Sequence, residues 1–195
     1  MTYLAVMPLD AVDAAAQLGT LVVVAGTAIA ALAQLRHLRA SNELAALLTL
    51  TEQLREPELQ RAFLFVQTEL AKRLAQPAFR LELSSLGYVD ARVHPEMDVC
   101  NWFDGVGALV KNRLIDEGTF LDLFSRLVTY YWGRLEPVIA LLRRERGAGQ
   151  YENFEYLAHL AIRWQAKHPH GAYPARVPRL VVRDAWLATD GLPPS

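Results

Sequence analysis

Residues 14–35 read AAAQLGTLVVVAGTAIAALAQL, a run of twenty-two residues without a charge that stops at Arg36, His37 and Arg39. As a helix this run is about 33 Å long, enough to cross a hydrocarbon core of roughly 30 Å. Its strongly apolar members are four Leu, three Val and one Ile, beside eight Ala. The Leu, Val and Ile together favour insertion by about 2.5 to 5 kcal/mol. Gly19, Gly26, Thr20 and Thr27 offset part of this, while Gln17 and Gln34 lie near the ends, within reach of headgroups. The expectation is a transmembrane helix with a modest insertion margin.

The flanks set an orientation. Asp10 and Asp13 precede the run with no Lys or Arg, and Arg36 and Arg39 follow it. The positive-inside bias then assigns the C-terminal side to the cytoplasm. A cleaved signal peptide carries a basic leading region, which residues 1–13 lack. The chain is therefore expected as a single-pass protein of the inner (plasma) membrane: an extracytoplasmic tail at 1–13, an uncleaved anchor at 14–35, a cytoplasmic domain at 36–167 and a Pro-rich, loosely ordered tail at 168–195. Ala15, Gly19, Gly26 and Ala30 share small-xxx-small spacings, which let two helices approach closely. They are the expected face of a homo-oligomer.

The whole chain has 20 Lys+Arg and 21 Asp+Glu. With Asp10 and Asp13 outside, the rest holds 20 basic against 19 acidic residues, and this near-neutrality argues against nucleic acid as a partner. Cys100 is alone, so no internal disulfide forms, as suits a reducing compartment.

After the anchor the period is helical nearly throughout. Leu44, Leu47, Leu48 and Leu54 continue the anchor as one long helix. Pro57 opens a second, with Leu59, Phe63, Val66, Leu70 and Leu74 on one face, which Pro77 ends. Residues 78–93 read as a connector. His94-Pro95-Glu96 begins a third helix with Val99, Trp102, Phe103, Val106, Leu109, Val110 and Leu114 inward, stopping at Gly118. Thr119 opens a fourth, with Phe120, Leu123, Phe124, Leu127, Tyr131 and Leu135 buried. Pro137 should kink or break it there, with helix continuing to about Arg146. The last runs from about Glu152 to Lys167 with Phe154, Leu157, Leu160, Ala161 and Trp164 inward. The fold class is all-α: one N-terminal transmembrane helix continuing into a small cytoplasmic bundle of about five helices.

Candidate chemistry is sparse. Glu155 and His159 stand four apart on one helix, but a di-metal bundle needs several Glu and paired Glu-x-x-His units. His168 and His170 lie just past a helix end, where they satisfy carbonyls. Cys100 lies beside an apolar stripe and reads as a packed thiol. No catalytic set, metal site or cofactor site is expected. Trp102, Asp104, Gly105 and Gly107 form the candidate functional or packing cluster. Asp104 beside two aromatic residues requires hydrogen bonds if buried, and each glycine inside a helix costs about 1 kcal/mol against Ala. Arg36, Arg39, Arg176, Arg179 and Arg183 are candidates for contact with anionic lipid, at about 1 kcal/mol per basic residue near the surface.

The segments Arg61–Val66 (RAFLFV), Val99–Lys111 (VCNWFDGVGALVK), Leu114-Ile115-Asp116, Phe120–Phe124 (FLDLF), Tyr131–Pro137 (YWGRLEP) and Tyr151–Leu157 (YENFEYL) together resemble the prokaryotic domain of unknown function 4760 family, over roughly residues 36–167. Members often carry a Gly before the Leu-Ile-Asp stretch, where this chain has Asn112-Arg113. The resemblance implies an N-terminal membrane helix followed by a small helical domain, with no catalytic residue to transfer. The expected function is a membrane-anchored interaction or regulatory module, in contact with membrane lipid and with an unidentified protein. The alternative is a membrane effector, of the kind used in defence, with a signal-sensing helical domain.

Overall fold

The structure, a computed structural model, describes residues 9–85, 89, 90 and 92–186, without the side chains of 9–16, 39 and 40. Ala15 and Arg39 thus lie outside the described side chains, and residues 1–8 and 187–195 of the two tails lie outside altogether. Seven helices follow one another among the described residues: α1 Leu9–Gln53, α2 Pro57–Thr68, α3 Leu70–Leu74, α4 Pro77–Leu83, α5 Glu96–Lys111, α6 Glu117–Arg146 and α7 Glu152–Lys167. The fold is all-helical, a long apolar N-terminal helix followed by a helical bundle.

α1 is continuous from the uncharged run into the bundle, as the lack of any breaker between Arg36 and Gln53 predicts. Its 45 residues make a rod about 68 Å long. Every described side chain from residue 17 to 38 is exposed, and the helix first enters the core at Leu50. Ala46, Leu47 and Leu54 pack against the core's edge.

α5 is the centre of the bundle, lying against α7 along its length and against α2 and α6 on other sides. Aromatic rings tie these helices together. Phe103 on α5 stacks on Phe154 of α7 at 4.6 Å and 8°, and Trp132 of α6 meets the same Phe154 edge-on at 5.1 Å. Phe63 of α2 lies 4.6 Å from the Tyr131 ring of α6. Offset and edge-to-face pairs of this kind add to plain area burial.

Three expectations about element bounds are corrected. The stripe Leu59, Phe63, Val66 and Leu70 is buried as read, but the helix breaks at Glu69 into α2 and α3, with Leu74 only half-buried. Pro77 ends α3 and also starts α4, whose Phe79 and Leu83 join the core, so residues 78–93 are not all connector. α6 begins at Glu117, not Thr119. Asp116 is the cap, its Oδ1 accepting from the Thr119 N–H at 2.8 Å and the Thr119 hydroxyl at 2.9 Å. These bonds hold the Asp116 carboxyl below its ordinary pKa. Gly118 therefore lies in a first turn, and Leu114, turned out by the left-handed Arg113 (φ 58°), is exposed.

Pro137 lies inside α6, which runs on past it without a break and ends at Arg146 as expected. The carbonyl Pro137 leaves without a donor is that of Gly133, and both residues are exposed, so the lost bond falls on the solvent side of the helix and the absent Gly133 side chain leaves the ring room. The buried stripe of α6, Leu121, Val128, Leu135, Val138 and Leu142, runs on through Pro137 and turns Leu123 to solvent.

Candidate functional site

The cluster Trp102, Asp104, Gly105 and Gly107 divides between two faces of α5. Asp104 and Gly107 face α7. Asp104 Oδ1 accepts from the backbone N–H of Asn153 at 3.0 Å and of Phe154 at 3.1 Å, and Oδ2 accepts from Asn153 Nδ2 at 3.2 Å. α7 needs this. Its own leading residue, Tyr151, is left-handed (φ 57°) and offers no side-chain cap. The orphan N–H groups of a helix start are thus capped by a carboxylate from another helix. Tyr151 OH donates to Asn101 Oδ1 at 2.9 Å, and Lys111 Nζ reaches Glu152 Oε1 at 3.0 Å and Asn153 Oδ1 at 3.1 Å. A Cβ on Gly107 would stand 2.2 Å from the Asn153 carbonyl oxygen. Asp104→Ala is expected to cost about 2 kcal/mol, a lost cap plus unsatisfied amides, read as a shift of the unfolding midpoint with α-helical circular dichroism retained below it.

Trp102 and Gly105 face the other way, into a groove of about 760 Å³ between α1, α2 and α5. Leu50, Leu59 and Val106 form its apolar wall, and Glu56, Glu58 and Asp98 its acidic rim. Trp102 Nε1 donates to Gln53 Oε1 of α1 at 3.2 Å. A Cβ on Gly105 would meet nothing within 4 Å. Partial burial, and then the charge of Glu58, raise the Asp98 carboxyl.

A third constellation was missed by sequence reasoning. Glu96 is wholly buried, and His94 is 3% exposed. His94 Nδ1 lies 2.8 Å from Glu96 Oε1, and Nε2 lies 3.1 Å from Glu82 Oε2. The ring packs on Phe79 at 4.6 Å. Glu96 Oε2 has no hydrogen-bond partner among the described residues. Burial pushes the Glu96 carboxyl up, with the His94 hydrogen bond acting against it. The sequence showed His94-Pro95-Glu96 only as a helix start, and nothing in it joined Glu82 to them.

The remaining candidates are dispersed. Glu155 Oε2 pairs with Arg143 Nη2 at 2.7 Å, and His159 is exposed. Cys100 is fully buried, with its thiol pushed well above the ordinary range by burial, which makes it unreactive. Arg36, Arg176, Arg179 and Arg183 are exposed, and so are Gly19, Gly26 and Ala30 on α1. Among the described residues no group of three or more His, Cys, Asp or Glu is arranged to hold a metal ion.

No curated protein and no solved structure matches the chain. A family model described as a domain of unknown function (DUF4760) matches residues 21–164. That span takes in much of the apolar part of α1, all of α2 to α6 and most of α7, including both faces of α5 and the His94–Glu96 pair. The chain belongs to the DUF4760 family.

Proposed function

We propose that this protein is a helical interaction or regulatory module held at a membrane by α1, with the α2–α7 bundle on the cytoplasmic side. The observation that carries the reading is the continuous apolar surface of α1. Leu18, Leu21, Val22, Val23, Ile29 and Leu32 are all exposed on a helix that is rooted at Leu50 in the core. Contiguous apolar surface of that extent marks a partner or a membrane. Length and composition suffice for a span. Thr27 Oγ1 donates to the Val23 and Val24 carbonyls at 2.9 Å, which satisfies its hydroxyl inside the helix, as a bilayer requires. Arg36 directly after the run supports the cytoplasmic assignment of the bundle. The open Gly19 and Gly26, where an added Cβ would meet nothing within 4 Å, support self-association of α1. The acid-rimmed groove and the absence of a convergent catalytic set among the described residues favour binding over turnover.

The test is membrane fractionation of the full chain beside one starting at Arg36, each with an alkaline wash. The full chain is expected to stay in the pellet and the shorter one to stay in solution. Release of the full chain by the wash would overturn the reading and make α1 a partner-binding helix.

A further inference from the structure

We propose that the Arg-flanked apolar segment 176–186 of one copy docks in the acid-rimmed groove between α1, α2 and α5 of a second copy. Two unfilled surfaces on one chain carry complementary chemistry. The groove offers the Trp102 ring and an apolar wall beneath Glu56, Glu58 and Asp98, and no Lys, Arg or His lines it. Gly105 opens the groove at a place where helix propensity disfavours glycine and no neighbour requires one.

The segment reads ARVPRLVVRDAW from 175 to 186. Leu180 is 89% and Val182 92% exposed, an unusual state for consecutive apolar side chains. It is not a shapeless tail. Tyr173 OH donates to the Pro178 carbonyl at 3.3 Å, and Arg179 donates to the His170 carbonyl while lying 4.6 Å over the Tyr173 ring. This clasp holds the preceding loop and presents Leu180-Val181-Val182 outward. Arg176 and Arg183 flank the apolar residues and make no hydrogen bond or ion pair among the described residues. Two free guanidinium groups beside apolar side chains match a rim of carboxylates above an apolar wall. In the single chain the segment is exposed and the groove stays open, and charge complementarity between the two surfaces is what assigns the occupant to a second copy. The contact requires no membrane, although anchoring would raise the effective concentration of copies.

The experiment uses two differently tagged full-length chains produced together, one with Gly105→Cys and the other with Val181→Cys, mildly oxidised in their membranes. The buried Cys100 is silent. A disulfide-linked heterodimer is expected. Arg176→Glu with Arg183→Glu should lower its yield about tenfold, the equivalent of 1.4 kcal/mol, and Glu58→Lys with Asp98→Lys on the groove copy should restore it. Gln53→Cys on the opposite wall serves as a second probe should Gly105→Cys misfold. The proposal is overturned by absence of the crosslink at both probes, by a crosslink formed only when both cysteines are on one chain, or by a yield indifferent to charge reversal. Membrane retention in the alkaline wash is read separately, so loss of this contact leaves the anchor reading intact.

Discussion

Gly107→Ala is expected to destabilise the bundle by about 2 to 3 kcal/mol, and Gly105→Ala, two positions earlier, to stabilise it by about 1 kcal/mol. The two glycines look alike in sequence and differ in what surrounds them. At Gly107 the added Cβ would meet backbone: the Asn153 carbonyl oxygen at 2.2 Å and its carbon at 2.6 Å. No rotamer change relieves such a clash, so α5 and α7 must separate. That shift would lengthen the bonds from Asp104 to the Asn153 and Phe154 amides. The cost is at the upper end for overpacking and exceeds the ~1 kcal/mol that Ala contributes as the better helix former. At Gly105 only the helix term remains. Urea unfolding followed by circular dichroism separates the two. A stabilising Gly107→Ala would mean that α5 and α7 do not approach as described. A Gly105→Ala variant that lost stability would show that this position is packed, and would remove the reason to see it as groove floor.

Helix phase was legible where a stripe ran long and unambiguous. Leu59, Phe63, Val66 and Leu70 kept one face through the break at Glu69, because burial of that face is indifferent to one distorted peptide. Leu123 was misread because Phe120, Leu123 and Phe124 locally suggest one stripe, while the thirty residues of α6 impose another. Local rules also failed where exposure changed their cost. Pro137 is carried inside α6 because its lost hydrogen bond and its ring fall on the exposed side, over Gly133. Asp104 was legible as a carboxylate needing partners, but its role as a cap for a helix starting about fifty residues later was not, since such a cap leaves no spacing signal in the chain. The Asp116 cap was missed because Thr119, also a capping residue type, stands three residues on. The buried pair at His94 and Glu96 depends on α4 supplying Phe79 and Glu82. Its short helix carries too few turns to show a period.

His94→Ala is expected to cost about 3 kcal/mol at neutral pH, the range for leaving a buried carboxylate without its hydrogen-bond partner, and to cost progressively less as the pH falls. Glu96 is wholly buried, its Oε1 pairs with His94 Nδ1, and its Oε2 has no hydrogen-bond partner among the described residues. Burial raises its carboxyl above the ordinary value of 4.5, and the His94 hydrogen bond and charge restrain that rise. The folded chain therefore keeps the Glu96 proton to higher pH than the unfolded chain does. The stability this confers is full below the ordinary value and is lost as pH rises through the raised one. Removing His94 removes the restraint, so the variant's pKa rises further and its losses extend to higher pH. Unfolding midpoints from acid to neutral pH should show wild type and variant converging at the acid end and separating as pH rises. Adding Glu96→Gln to His94→Ala should remove the slope. Glu82→Gln, at a carboxylate 57% exposed, should change stability by no more than about 1 kcal/mol. A His94→Ala loss equal at every pH would mean that the missing ring matters as packing on Phe79, and that Glu96 stays protonated throughout.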